Sequence, residues 1–320
     1  MTNKERYAAL CTAESSISVF NQPWWMDAVC GKDNWDVLLY EKNGEIVGAL
    51  PYYVKKKYGL KYIAQPVFTQ YNGIWIKYPQ NQKNEKKIAY EKEIMSSLIE
   101  QLSALPICYY QQSHSTKLTN WMPFYWAGFR QSTNYTYRIP CRGNSMKEIS
   151  KGFASVIRYD AKRASEQVTI EESDDIDALY TLIEKTFARQ GQSARCSLEF
   201  LKELDLQCQQ HNARKIYLAK NQDGVNICGI FLLCDAETVY YLLSGTDSAY
   251  RKVNALSLLL RTAIEFAVET NRDFDFEGSM VESIEDYFRK FGGVQSPYFS
   301  LQKVFTKNPI VKVAIARKMK

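Results

Sequence analysis

One hydrophobic pattern occurs twice in the chain: an apolar run, a polar turn that carries a glycine, and a second apolar run with an internal glycine. The two copies are DVLLYEKNGEIVGALPYYV (36–54) and KIYLAKNQDGVNICGIFLLC (215–234). Strand-favouring residues on both sides of a polar, glycine-bearing turn are typical of a β-hairpin. Gly48 and Gly229 lie inside the second strands, where glycine marks a bulge or a close approach of the backbone. Single hairpins are common, so the flanking segments decide what the repeat means.

Similar elements surround both hairpins. Before them lie FNQPWWMDAVCG (20–31) and DDIDALYTLIEKTFARQG (174–191), which their apolar spacing predicts to be helices. After them come apolar strands and then the helical patterns KIAYEKEIMSSLIEQLSAL (87–105) and NALSLLLRTAIEFAVET (254–270). The order helix, hairpin, strand, helix, strand therefore occurs twice. The chain is predicted to contain two α/β domains of one type, each a mixed central sheet flanked by helices.

A loop and a basic segment join the two halves. GFRQSTNYTYRIP (128–140) ends the first half with a strand, and MKEISKGFASVIRYDAKRASEQ (146–167) is interpreted as one linking helix. We therefore place the domains at residues 1–140 and 141–320, the second with this linker helix and a C-terminal tail. The basic face of the helix consists of Arg158, Lys162 and Arg163. It is the densest basic face on any predicted helix, which makes it a candidate for binding an anionic substrate.

Composition excludes several classes of protein. The eight cysteines are scattered singly without a CxxC pair, and there are two histidines, so neither a metal site nor a disulfide framework is expected. No run of about 18 apolar residues and no charged-then-apolar leader is present, which favours a cytoplasmic protein without a transmembrane segment. The formal net charge of +6 is far below that of a dedicated nucleic-acid-binding protein.

Several segments together resemble a known family. They are FNQPWW, SVIRYDAKRASEQ followed by VTI, FARQGQSARCSLEFLKEL, and FDFEGSMVESIEDYFRKFGG. The tandem arrangement resembles the double GNAT-fold proteins of the FemAB-like acyltransferase group, which include peptidoglycan-bridge aminoacyltransferases, and the resemblance covers nearly the whole chain. It implies two GNAT-like domains and transfer of an acyl group to an amine, with a cell-envelope precursor as the expected acceptor.

The resemblance also implies a donor site. In GNAT domains the acyl donor lies where two parallel strands separate, and a helix N-terminus receives its pyrophosphate. The corresponding segment here is YRKVNALSL (250–258), in which Arg251 matches the phosphate loop but Asn254 replaces its glycine. Arg251, Lys252 and Asn254 are therefore the candidate donor-binding residues, and an ordinary basic helix N-terminus is the alternative. No tightly bound cofactor is implied, and acyl-CoA or an aminoacyl-tRNA is the expected donor.

Acylation of an amine needs a base and hydrogen-bond donors. The candidate bases are Asp275 and Glu277 in FDFEGS, which strand alternation places on one face, opposite Phe274 and Phe276. Helix capping near Ser279 is the alternative role for Glu277, and a structural role is the alternative for Asp275. Tyr287 is a candidate proton donor, and Tyr241 is a candidate hydrogen-bond donor to the acceptor.

Three functions remain open at this point. The first is acyl or aminoacyl transfer, in which the missing glycine favours the branch that uses charged tRNA. The second is a catalytically silent tandem GNAT scaffold that binds an envelope or polysaccharide precursor. The third, a nucleic-acid-binding module, is disfavoured by the low charge. The tail KNPIVKVAIARKMK (307–320) is predicted to form a basic helix, which either packs back on the protein or contacts the inner membrane surface weakly.

Overall fold

The first repeated segment folds as predicted into an antiparallel hairpin, in a computed structural model that describes residues 1–278 and 280–318. The hairpin consists of strands β1 (Trp35–Lys42) and β2 (Glu45–Lys57). Its turn is Asn43-Gly44, whose φ angles of 53° and 82° are the left-handed values that a tight hairpin turn requires. The helices before it are α1 (Asn3–Ala13) and α2 (Pro23–Cys30), and the second is the helix predicted from the FNQPWW segment.

The next elements complete a mixed sheet covered by a helix. They are β3 (Leu60–Ala64), β4 (Trp75–Ile76), α3 (Asn84–Ala104), β5 (Tyr109–Ser113) and α4 (Met122–Trp126). Strand β3 pairs antiparallel with β2 and parallel with β5, as a mixed sheet requires. Helix α3 packs on β1 and β2. It does so through Ile94, Leu98 and Leu102, which recur about once per turn and are fully buried.

The basic linking segment forms two helices, so the prediction of one helix over residues 146–167 was wrong. Strand β6 (Arg130–Ile139) leads into α5 (Met146–Ile149), and α6 (Ser155–Ser165) follows. Phe153 interrupts them with an extended backbone, φ −68° and ψ 135°. Its side chain is buried, and its ring contacts that of Phe291 edge to face. The chain therefore buries this ring in the core and does not continue as one helix.

The second repeated segment is also a hairpin, within the same order of elements. These elements are β7 (Val168–Glu172), α7 (Ile176–Arg189), α8 (Leu198–Gln210), β8 (Arg214–Asn221), β9 (Asn226–Cys234), β10 (Thr238–Thr246), α9 (Ala255–Glu269), β11 (Asp273–Asp275) and α10 (Glu282–Arg289). The sheet order is β7-β8-β9-β10-β11-β6, with β10 and β11 parallel and the other pairs antiparallel. Helix α9 packs on this sheet next to α6. The predicted α/β fold with mixed sheets flanked by helices is confirmed.

Contacts divide the chain into unit 1, residues 1–134 with 297–320, and unit 2, residues 135–296. Each boundary falls inside the last strand of one half, so that strand is divided between the units. Strand β6 follows the first half in sequence but pairs with β11 in unit 2. Strand β12 (Val294–Val304) follows β11 in sequence but pairs with β5 in unit 1 through residues 300–304. The predicted GNAT-like domains at residues 1–140 and 141–320 stay a prediction.

The tail forms helix α11 (Pro309–Lys318), with Pro309 in its first turn. Val311 and Ile315, from the predicted apolar face, are both partly buried. The side chains of Ala314, Arg317 and Lys318, and the whole of Lys320, lie outside the described part of the chain. Through the described ranges, no helix combines the length and the apolar character needed to cross a membrane.

Candidate active site

Two parallel strands of unit 2 separate where the candidate catalytic residues lie. Strands β10 and β11 pair over three residues, from Thr238 opposite Asp273 to Tyr240 opposite Asp275. Strand β11 then ends, whereas β10 continues to Thr246 with a bulge between Tyr241 and Leu243. The hydrogen-bonding edge of β10 beyond Tyr240 is therefore no longer occupied by β11. This opening corresponds to the place where the family resemblance puts the acyl donor.

Asp275 organises the turn that follows β11. Its side chain is fully buried, and Oδ1 accepts hydrogen bonds from Glu277 N at 2.8 Å and Thr136 Oγ1 at 2.5 Å. Its Oδ2 lies 3.3 Å from Nε of Arg138 on the neighbouring strand. A buried carboxyl group with these partners is held in one position. These contacts favour the structural alternative for Asp275.

Glu277 departs from the alternation expected of a strand. Strand β11 ends at Asp275, and Glu277 and Gly278 have left-handed φ angles of 57° and 68°. The prediction that Asp275 and Glu277 share one strand face was therefore wrong. A left-handed non-glycine residue costs conformational energy, and such residues cluster at functional sites. Ser279, the predicted capping neighbour, lies outside the described residues.

The Glu277 carboxyl group is short of hydrogen bonds. Its Oε1 atom is buried and accepts none from the residues that the structure describes. Burial raises the pKa of Glu277 well above its usual range, and the nearby charge of Asp275 adds to this effect. A buried carboxyl group with a raised pKa is a stronger base, once ionised, than an ordinary glutamate. Glu277 is therefore the better candidate for proton transfer at this turn.

Tyr241 and Tyr287 lie on two sides of one aromatic ring. Tyr241 and Phe276 contact Phe288 with centroid distances of 5.8 Å and 4.8 Å, and Tyr287 is its neighbour on α10, 6.2 Å away. Burial raises the pKa of both tyrosines, so each carries its proton at neutral pH. Both hydroxyls can therefore donate hydrogen bonds. Because Glu277 follows Phe276, the three predicted residues adjoin one aromatic cluster.

The cluster contains polar residues that sequence reasoning missed. The hydroxyls of Ser257 and Tyr287 are hydrogen-bonded at 2.9 Å, and Tyr241 donates to Ser244 Oγ. Ser257 lies in the first turn of α9. In the sequence, only the predicted position of this helix could have identified Ser257 as a candidate site residue. Cys228 is also close to the tyrosines, but burial raises the pKa of its thiol to about 12. A protonated thiol is a poor nucleophile.

The predicted donor-binding residues lie immediately before helix α9. Arg251 and Lys252 are exposed in a 3-10 turn, Ser248–Val253. Asn254 has a left-handed backbone, φ 59°, which is a conformation that the family's glycine adopts readily and that asparagine tolerates. Its Nδ2 donates to Oδ1 of Asp160 at 2.8 Å. The loop thus keeps a glycine-like backbone. The carboxylate of Asp160, however, lies beside the helix N-terminus and would repel a phosphate group there.

The three cations of the predicted basic face lie in different surroundings. Arg158 donates from its guanidinium to the carbonyl oxygen of Phe153 and borders a pocket near the start of α6. Lys162 and Arg163 lie in the last turn of α6 and are exposed. Cations near the C-terminus of a helix interact favourably with its dipole, and this interaction accounts for the positions of Lys162 and Arg163. Among residues 1–278 and 280–318, no group of histidine, cysteine and acidic side chains is arranged to hold a metal ion.

Comparisons with known proteins match the fold. A family model described as an acetyltransferase (GNAT) domain matches residues 151–289. Among curated proteins, no sequence matches significantly. The structure is similar to that of FemX, with a TM-score of 0.70 and 14% identity over 93% of this chain and 96% of that chain. It is also similar to L-PGS from Bacillus licheniformis, with a TM-score of 0.57 and 9% identity over 99% of this chain and 97% of that chain. The chain therefore has a fold similar to that of FemX, and its residues 151–289 match the model of a GNAT acetyltransferase domain.

Proposed function

We propose that the protein transfers an aminoacyl group to a primary amine, at the opening between β10 and β11 of unit 2. The observation that carries this proposal is Glu277. A carboxyl group with a buried, unpartnered oxygen and a raised pKa stands at the point where the two parallel strands separate. Such a group stabilises the fold less than an exposed one would, so a role in chemistry accounts for it better than a structural role.

The proposed reaction uses Glu277 as the base. The acceptor reaches the site as an ammonium group, and the Glu277 carboxylate removes the proton that blocks its lone pair. The nitrogen then attacks the carbonyl carbon of the donor ester, forming a carbon–nitrogen bond and placing negative charge on the carbonyl oxygen. The neutral hydroxyl of Tyr287 is the donor available to stabilise that charge, since Tyr241 already donates its proton to Ser244 Oγ. The carbon–oxygen bond to the donor then breaks as the leaving oxygen takes the surplus proton of the attacking nitrogen, and Glu277 releases the first proton to solvent.

The donor loop favours an aminoacyl ester over acyl-CoA. Asp160 places negative charge beside the helix N-terminus that would receive the CoA pyrophosphate. The hydrogen bond between Ser257 and Tyr287 also links α9 to α10, and aromatic rings fill the space around it. A pantetheine arm would have to displace these side chains. Proteins of the FemAB-like group use charged tRNA and act on peptidoglycan precursors, which supports an envelope precursor as the acceptor.

The test is a transfer assay with matched variants. Purified protein is mixed with aminoacyl-tRNA or acyl-CoA and a UDP-linked peptide precursor, and mass spectrometry detects the acylated amine. We expect product with aminoacyl-tRNA, about 100-fold less with Glu277→Gln, and an unchanged yield with Glu282→Gln on exposed α10. Arg251→Ala is expected to weaken donor binding without unfolding the protein. No product with any donor, while the donors and precursor still bind, would favour the silent scaffold instead.

Contact with a membrane surface is proposed only for the tail. Residues 303–320 carry six basic and no acidic side chains, and each basic residue near an anionic surface contributes about 1 kcal/mol. We expect weak binding to anionic vesicles at low salt, and deletion of residues 307–320 should abolish it. Vesicle sedimentation measures this. Binding that survives the deletion would place the contact elsewhere, and absence of binding would leave α11 a purely structural helix.

A further inference from the structure

Unit 2 contains a pocket that the proposed reaction does not use. Its volume is about 340 Å³, within the range of sites for small molecules. Helices α5, α6 and α9 and the 3-10 turn between α5 and α6 form its walls. The lining residues are Met146, Lys147, Ser150, Phe153, Arg158 and Arg261. Half of these side chains are cationic and none is acidic.

The charges of the pocket are not neutralised by the protein. Lys147 and Arg261 form no ion pair with any residue in 1–278 or 280–318. Other cations of unit 2 do form ion pairs, among them Lys185 with Asp247 and Arg214 with Asp205. Arg158 is held at the pocket by its hydrogen bond to the carbonyl oxygen of Phe153. Three cations around one cavity repel each other, and an anion bound among them removes that repulsion.

The shape and chemistry of the walls indicate which anion fits. Two guanidinium groups and an ammonium group match the oxygens of a phosphate, because arginine binds phosphate through paired hydrogen bonds. Met146 and Phe153 add an apolar wall, which suits the organic part of a phosphate ester. Helix α6 also begins at Ser155 beside the pocket and has no side-chain cap, so its dipole favours a negative charge there.

We propose that this pocket binds the phosphate or diphosphate group of a small molecule. The pocket adjoins the aromatic cluster of the candidate active site, because the ring of Phe153 contacts Phe291 and Phe291 contacts Tyr287. The ring centroids are 5.6 Å and 5.4 Å apart in these two contacts. The proposal does not depend on transfer activity, since binding of the anion is measured in the absence of any donor or acceptor.

Isothermal titration of the full chain with inorganic pyrophosphate tests the site. We expect Arg261→Gln to raise the Kd at least 10-fold. This residue is exposed on α9, so its replacement leaves the core intact. Arg158→Gln and Lys147→Gln should have the same effect. Arg163→Gln, a cation of α6 outside the pocket, and Arg251→Ala, at the donor loop, should change the Kd less than twofold.

Three results would overturn the proposal. The first is no binding of pyrophosphate at low salt. The second is an equal loss of affinity in Arg163→Gln and Arg261→Gln, which would indicate diffuse surface attraction. The third is a loss confined to Arg251→Ala, which would place the anion at the start of α9.

A parallel titration with phosphatidylglycerol vesicles separates a soluble phosphate from a lipid headgroup, and binding to vesicles alone would contradict a small-molecule site.

Discussion

Asn254 and Asp160 are joined by a hydrogen bond of 2.8 Å across two helices, and Asn254 has a left-handed backbone at the start of α9. The residue thus does two things at once. Its backbone takes the conformation of a glycine, while its side chain fixes a carboxylate beside the first turn of the helix. A glycine would provide only the first, and most other residues would provide neither.

Substitutions at Asn254 separate these two contributions. Asn254→Gly keeps the left-handed backbone and loses the hydrogen bond, so we expect a loss of about 1 kcal/mol in the free energy of unfolding. Asn254→Ala also forces an alanine into the left-handed region, which costs about 1–2 kcal/mol more. Urea unfolding followed by circular dichroism measures both. Equal losses in the two variants would show that the backbone conformation is not constrained.

Glu277 makes the stability of unit 2 dependent on pH. In the unfolded chain the carboxyl group ionises near its ordinary value of 4.5, whereas its pKa is raised well above this value in the folded protein. As pH rises above about 4.5 the unfolded chain loses its proton first, so the free energy of unfolding falls. We expect Glu277→Gln to be at least about 1 kcal/mol more stable than the parent at pH 7. At pH 4 the two should be equal.

The control for this measurement is Glu282→Gln on the exposed first turn of α10, which should not reproduce the stabilisation expected of Glu277→Gln at pH 7. Thermal unfolding is followed by circular dichroism and not by tryptophan fluorescence. All six tryptophans lie at positions 24–126 in unit 1, so their fluorescence does not report on unit 2. A variant of Glu277 that is less stable than the parent at pH 7 would contradict the raised pKa and support a capping role.

Gly278 is required for two separable reasons. Its φ angle is 68°, and a Cβ atom there would lie 2.2 Å from the carbonyl oxygen of Tyr135. Gly143 has a similar φ of 73° but open space around its Cβ position. Gly143→Ala should therefore cost about 1–2 kcal/mol from backbone strain alone. Gly278→Ala should cost clearly more, because the backbone of Tyr135 must also move. Chemical denaturation compares them, and equal costs would mean that the turn adapts freely.

His114 makes unit 1 sensitive to acid. The ring is fully buried, its Nδ1 accepts from the Ile74 amide at 3.3 Å, and burial lowers its pKa to about 3. Between pH 6.5 and 3 the unfolded chain binds a proton that the folded protein does not, so stability falls as pH falls through this window. We expect His114→Gln to lose less stability between pH 7 and pH 5 than the parent loses.

Tryptophan fluorescence in urea follows this transition selectively, since every tryptophan lies in unit 1. His211→Gln in unit 2 is the matched control and should leave the fluorescence-detected pH dependence unchanged. An identical pH dependence in the parent and in His114→Gln would mean that other groups of unit 1 dominate its acid response.

Local sequence patterns predicted the helices and strands well, but they could not predict the tertiary contacts of each residue. Gly48 and Gly229 occupy similar places in the two repeats, and both allow close approach as predicted. A Cβ on Gly48 would lie 2.4 Å from Ile94 of α3, the helix after the hairpin. A Cβ on Gly229 would lie 2.6 Å from Leu218 and 2.9 Å from Leu179 of α7, the helix before it. The internal glycine of each hairpin therefore makes room for a different helix, the one after the first hairpin and the one before the second.

The candidate site shows the same limit. The FDFEGS turn was found because a strand, two acidic residues and a glycine follow each other in sequence. Asp160 and Ser257 were not found, because α6 and the turn before α9 become neighbours only through tertiary packing. The break at Phe153 was also missed, since its place in an apolar stripe is compatible with one long helix. The extended backbone there is accompanied by contacts with residues far along the chain, the ring of Phe291 and the carbonyl oxygen of Lys290.

The exchange of β6 and β12 has a consequence for synthesis on the ribosome. Unit 2 is one continuous stretch, residues 135–296, and all its strands have been made once Ser296 has been added. Unit 1 begins first, and β5 can pair with β3, but its second partner is missing until residues 300–304 have been translated. The part of the protein that is made first is therefore completed last. Until β12 has been made, one edge of β5 lacks its partner, and an unpaired strand edge is a place where other chains can pair.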